Sequence, residues 1–155
     1  FASRLTQEVR EKRGLTYGID VALDPLDHAG VLQGDFGTRN AKVGESIAVL
    51  RDVWKRLSEE GPTARELAEA KTYLIGNYPL NLTSNGRVAN LLVALQLDDL
   101  GIDYLQRRVA YLNGVTLDDA RRVARRLLDP TLISMVVVGR PEGMAATPPA
   151  PKAGG

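Results

Sequence analysis

The 155-residue sequence contains no cysteine and only one histidine. Without thiolates there is neither a disulfide framework nor a sulfur-ligated metal site. A hydrolytic zinc needs about three protein ligands and an open position, and His28, in the turn-like segment LDHAG, has no second imidazole to join it. It reads as a surface turn residue, so the chain holds no catalytic zinc by itself. The missing base also excludes a nucleophile–histidine triad, and no G-x-S-x-G is present. GDFG at 34–37 lacks the companions of a kinase signature, and GVLQGDFG falls inside a hairpin pattern, where glycine serves close backbone approach rather than a phosphate loop. No apolar run is long enough to span a bilayer, and no signal-peptide pattern is visible. An excess of charge is missing too. Twenty Lys and Arg face 19 Asp and Glu, a net charge of +1, which supplies no field for nucleic acid. The arginine pairs Arg107–Arg108, Arg121–Arg122 and Arg125–Arg126 read as solvated helix faces.

What is present suits one globular domain with a core of its own. Ala2, Leu5 and Val9 have helical spacing over residues 1–12, and Gly14 is placed to end that helix in a left-handed conformation. Residues 16–23 (TYGIDVAL) and 31–38 (VLQGDFGT) alternate like strands. Asp24–Pro25 and Ala29–Gly30 bracket the turn, which predicts a hairpin with a moderately long loop. Val43, Ile47, Leu50, Trp54 and Leu57 mark an amphipathic helix stopped at Gly61–Pro62. Thr63 and Glu66 form a capping box for a helix with an apolar stripe at Leu67, Ala70, Leu74 and Tyr78, which Pro79 bends or ends. Helices follow around Val88–Leu95 and Leu105–Leu112, and then one capped by Thr116 and closed at Asp129–Pro130. The run 132–138 (LISMVVV) predicts a buried central strand. The order implies an α+β fold, a largely antiparallel sheet covered on one face by helices. Three strands are thin for so many helices, so a further strand is expected upstream of Phe1. The domain is assigned to 1–140, and 141–155, ending in MAATPPAPKAGG, is expected to be a disordered tail.

Arg10 and Tyr17 stand on either side of Gly14, in different elements. A guanidinium offers donors in a fixed fork and a phenol one directed O–H. Both can donate to a carbonyl oxygen, and both gain if that oxygen becomes an oxyanion in a water-poor cleft. The plainer alternative pairs Arg10 with Glu8 or Glu11 on the helix surface and leaves Tyr17 to pack.

Ser3-Arg4-Leu5, Glu8-Val-Arg-Glu-Lys-Arg-Gly-Leu15 and Tyr17 resemble the start of the second-domain signature of the pitrilysin/insulinase family of zinc peptidases, which includes the mitochondrial processing peptidase. Thr63-Ala-Arg-Glu66-Leu67 with Ala70-Lys71, the break at Ser84 and Arg87, Val115-Thr116 to Asp129-Pro130 and Ile133 to Gly139 follow in the family's order. The resemblance spans roughly 2–140. It implies a two-part chamber of related α+β domains. One half holds zinc on an inverted H-x-x-E-H motif, and the other supplies an arginine and a tyrosine, seven residues apart, that bind the substrate backbone and support the tetrahedral intermediate.

By that resemblance Arg10 and Tyr17 are the substrate-binding pair, and no catalytic or metal residue lies in this chain. Zinc is bound outside it, by another domain or by a paired catalytic subunit. The implied partners are a peptide or polypeptide substrate and a zinc-bearing domain or subunit of the same family, with which a dimer is expected, with no nucleic acid and no membrane insertion. The resemblance also implies that the domain lacks its first strand and helix, leaving an uncovered sheet edge. The alternative is a catalytically inert scaffold with the same fold. A third reading makes the arginine-rich helix at 121–126 a nucleic-acid module with salt-dependent affinity. The absence of cysteine is compatible with a periplasmic enzyme, the compartment preferred over the cytoplasm.

Overall fold

The computed structural model describes residues 3–26 and 28–144. From residue 145 on, the expected tail lies outside the described residues, as do the first two positions of the expected first helix. The fold is α+β: among the described residues, one antiparallel two-stranded sheet in a helix-rich chain. It divides into two compact units, residues up to Arg56 together with those from Asp129 onward, and Leu57–Leu128.

In the first unit, the opening helix has a wider form than its spacing predicts. After Arg4 and Leu5 it continues as a π-helix over Thr6–Glu11. Lys12 N–H reaches back five residues to Gln7 O at 2.9 Å. Gly14, with φ of 58°, ends it in the left-handed region that glycine adopts without a Cβ penalty. The closing bonds, Gly14 N–H to Arg10 O and Leu15 N–H to Val9 O at 2.9 Å each, span one residue more than an α-helical end would. Val9 and Leu15 are buried on the inner side of this closure.

The chain then forms strands β1 (Ile19–Leu26) and β2 (Ala29–Phe36), paired antiparallel from Ile19 opposite Phe36 to Leu26 opposite Ala29. The expected longer loop is therefore incorrect, because Asp24 and Pro25 belong to the ladder. A two-stranded ribbon has two outer edges, so it tolerates proline where a central strand would not. At the open end side chains extend the pairing. Thr16 Oγ1 lies 2.8 Å from Gly37 O and 2.6 Å from Gly18 O, and Thr38 Oγ1 donates to Leu15 O at 2.6 Å. These bonds fix the backbone on both sides of Tyr17.

Helix α1 (Val43–Glu60) follows. The boundary between the units falls within it. Its deepest positions are Val43, Ser46, Val53 and Ser58, a face partly rotated from the apolar stripe read in the sequence. Ser46 is wholly buried because its hydroxyl donates to Lys42 O at 2.8 Å, which satisfies it locally.

The run 132–138 is not the central strand that its composition predicts. Leu132 closes a 3₁₀ turn begun at Pro130, and over 133–138 no strand pairs with the chain and no backbone–backbone hydrogen bond forms among the described residues. Exposure alternates along it. Ile133 and Met135 are half-buried, whereas Leu132, Val136 and Val138 face outward. An apolar run makes a central strand only if partners flank it.

The second unit is helical: α2 (Ala64–Asn77), α3 (Asn85–Leu97), α4 (Tyr104–Gly114) and α5 (Leu117–Leu127). The expected capping box is present. Thr63 Oγ1 accepts from Glu66 N–H at 3.2 Å and Glu66 Oε2 accepts from Thr63 N–H at 2.7 Å. Thr116 and Asp119 repeat it on α5. Pro79 lies in the 3₁₀ turn Tyr78–Leu82 that ends α2, and Ser84 caps α3. Lys71 donates to Asn113 O at 2.9 Å and Arg108 to Leu74 O at 3.1 Å, binding α4 to α2. Removing the cap with Thr63→Ala is expected to cost about 1 kcal/mol, read as a lower urea midpoint at unchanged slope.

Candidate functional site

The structure brings Arg10 and Tyr17 together. The Arg10 guanidinium carbon lies 5.5 Å from the centroid of the Tyr17 ring, and Tyr17 is 92% exposed. Arg10 comes from the last turn of the π-helix, which the Gly14 closure halts. Tyr17 stands in the link to β1, held between Thr16 and Gly18. A cation over a ring at an exposed site is worth about 0.5–1 kcal/mol, enough to bias the arginine toward the phenol without locking it.

Beside the pair lies a cleft of about 300 Å³ lined by Ser3, by Leu5, Thr6 and Arg10 from the helix, and by Gly18 with the first three residues of β1. Three consecutive strand residues, Ile19 to Val21, can all border a cleft only along the strand's edge, since alternate side chains point to opposite faces. That edge of β1 is not paired with another strand among the described residues. The site thus offers main-chain donors and acceptors, a guanidinium and, next to Gly18, a phenol.

The plainer pairing of Arg10 with a neighbouring glutamate is not what forms. Glu8 instead takes Lys12 Nζ at 2.6 Å and the Arg13 guanidinium, which also donates to Glu8 O at 2.8 Å. Arg10 makes no ion pair among the described residues. The Arg13 and Lys12 hydrogen bonds hold the Glu8 carboxyl well below its ordinary range, at about 2. This clamp brackets the turn that carries Arg10, and sequence reasoning missed it because any of three nearby cations could have been the partner. A carboxyl depressed in the folded state stabilises it above the unfolded pKa, and that contribution is lost as pH falls through the folded pKa. The stability gap between the wild type and Glu8→Gln is therefore expected to be full at pH 6 and to close between about pH 4.5 and 2. Thermal midpoints across that range measure it, and a gap constant with pH would contradict it.

No group of three or more His, Cys, Asp or Glu side chains that could hold a metal exists among the described residues. His28 is exposed at the hairpin turn. The donor set among the described residues does not fit a zinc ion. No helix among the described residues is long and apolar enough to cross a membrane.

A helix-rich α+β chain with a cleft beside an arginine–tyrosine pair and, among the described residues, no metal-binding set is the class these features define. Residues 1–74 match the family described as the peptidase M16 inactive domain. The chain is 33% identical over 130 residues to an uncharacterised zinc protease of Streptomyces coelicolor, covering 82% of this chain and 28% of that protein. A non-peptidase homologue of Helicobacter pylori is 32% identical over 89 residues, covering 57% of this chain and 21% of that one. The crystal structure of a peptidase M16 inactive domain from Pseudomonas fluorescens superposes with a TM-score of 0.73 at 29% identity, over 84% of this chain and 31% of that one. The chain belongs to the peptidase M16 family of zinc peptidases, and its part of that family is the inactive domain. It spans less than a third of the length of these relatives.

Proposed function

We propose that this chain is the substrate-holding part of a zinc-dependent endopeptidase acting on peptides or unfolded polypeptides, with the metal carried by another domain or a partner subunit. An extended peptide lies along the open edge of β1 and adds main-chain hydrogen bonds there. Arg10 and Tyr17 donate to one of its carbonyl oxygens. Their attraction grows as that oxygen gains negative charge in the transition state, because fixed donors need no reorganisation. The observation that carries this reading is the meeting of the guanidinium and an exposed phenol, 5.5 Å from carbon to ring centroid, beside a cleft on a free strand edge.

Fluorescence anisotropy with a labelled extended peptide tests the binding half of the proposal. Arg10→Ala is expected to weaken binding by roughly tenfold or more, the loss of a charge-assisted hydrogen bond. Equal affinity of the variant and the wild type would overturn it.

The second reading is an inert scaffold, and the Helicobacter relative named as a non-peptidase homologue favours it. A scaffold has no use for an exposed arginine–phenol pair at a cleft, and would show no Arg10-dependent affinity for peptide.

A further inference from the structure

The Tyr17 ring is almost wholly exposed, and its hydroxyl makes no hydrogen bond among the described residues. With no packing wall around it, the phenol stands where its backbone puts it. That backbone is held by one buried hydroxyl. Thr16 Oγ1 accepts from Gly18 N–H at 3.2 Å and lies 2.6 Å from Gly18 O, so both polar groups of Gly18 turn back on Thr16 and Tyr17 is the middle residue of a closed turn. The same oxygen lies 2.8 Å from Gly37 O, one residue past the end of β2. A hydroxyl carries a single hydrogen, and the two carbonyl oxygens share it. On the other side of Tyr17, Leu15 O accepts from Thr38 Oγ1 at 2.6 Å. These ties to Gly37 and Thr38 bridge 21 and 23 residues in sequence, so the turn is registered against β2 and not only against itself. Phe36 of β2 pairs with Ile19, where the edge that borders the cleft begins.

We infer that Thr16 is a positioning residue: its hydroxyl, assisted by that of Thr38, sets the phenol of Tyr17 at a fixed distance from the β1 edge, so that one extended peptide meets both. This rests on the peptide-binding reading above and identifies what holds one of its donors in place. Neither threonine lines the cleft, and each acts through Tyr17. Without the Thr16 hydroxyl, Gly18 regains the wide conformational freedom of glycine, and the phenol spreads over many positions. A donor that has to be ordered on binding returns less affinity than one ordered beforehand.

Two readouts on the full chain separate this role from general support of the fold. In the free protein the Tyr17 ring should shift the Arg10 δ-methylene proton resonances upfield, an effect that Tyr17→Ala removes. Thr16→Val deletes the hydroxyl and keeps the branched shape, and it is expected to lose most of that shift, whereas Thr16→Ser keeps the hydroxyl and the shift. The second readout is the affinity for the labelled extended peptide. Thr16→Val should weaken binding by about three- to tenfold, the loss of one neutral hydrogen bond, and by nothing further in a chain that already carries Tyr17→Phe. A threonine that only supported the fold would cost the same in both backgrounds. A urea midpoint shows whether Thr16→Val folds, and if it does not, Thr38→Val takes its place in both measurements. A ring shift that survives in the variant, or an equal affinity loss with and without the phenol hydroxyl, would overturn the inference. If the shift collapses but peptide affinity is indifferent to both Tyr17 and Arg10, the threonine's hold on the phenol stands and the peptide-holding reading alone fails.

Discussion

Tyr17→Phe is expected to lower turnover of the complete assembly, this chain with its zinc-bearing half, by roughly ten- to several-hundredfold, the loss that follows removal of one oxyanion donor. The substitution deletes one hydroxyl and keeps the ring over which Arg10 lies, so the guanidinium keeps its neighbour. Folding should change by no more than about 0.5 kcal/mol, because the side chain is almost wholly exposed. Arg10→Ala should cost at least as much in turnover and should also raise KM, since the guanidinium contacts the ground-state carbonyl as well as the oxyanion. If the two act on one oxygen, the double variant loses less than the product of the single losses. Unchanged activity in both single variants would remove the proposed role from this pair.

The second large effect is expected at Gly34. A Cβ added there would sit 2.4 Å from Asp20 O and 2.9 Å from Val21 Cγ2. The nearer atom is backbone, and moving it means moving the stretch of β1 that borders the cleft. Gly34→Ala is therefore expected to cost about 1–3 kcal/mol, the range for forcing extra volume into packed structure, and to weaken peptide binding through a shifted strand edge. Thermal midpoint and peptide affinity should fall together. A Gly34→Ala variant with wild-type stability and affinity would show that the strands separate freely at this point, and that the strand edge does not position the peptide.

Local chemistry made much of this legible in the sequence. Gly14 announced the end of the first helix, and the Thr63–Glu66 box and Thr116 announced helix starts, because a cap depends on residues within one turn. The α+β class and the convergence of Arg10 with Tyr17 were also readable, the first from element order and the second from a motif. What was not readable depends on neighbours distant in sequence or on alternatives of equal chemistry. The π-helical widening at Thr6–Glu11 leaves no signal in apolar spacing, which differs little from that of an α-helix over so short a stretch. Asp24 and Pro25 read as a turn, but cross-strand pairing holds them in the ladder. Ser46 and Ser58 occupy the buried face of α1 although serine carries no apolar signal. Residues 132–138 show the strongest form of this limit, since their composition specifies what kind of partner they need but not that one is present.

Carbonyl-carbon NMR of a bound peptide, labelled with ¹³C at each backbone carbonyl in turn, tests most directly whether Arg10 and Tyr17 share one oxygen. Two donors on one carbonyl should move a single resonance downfield in the wild type, move it less in Arg10→Ala and in Tyr17→Phe, and leave it unmoved in the double variant. A bound peptide whose carbonyl resonances are indifferent to both substitutions would contradict the shared-oxygen geometry, and with it the substrate-holding role.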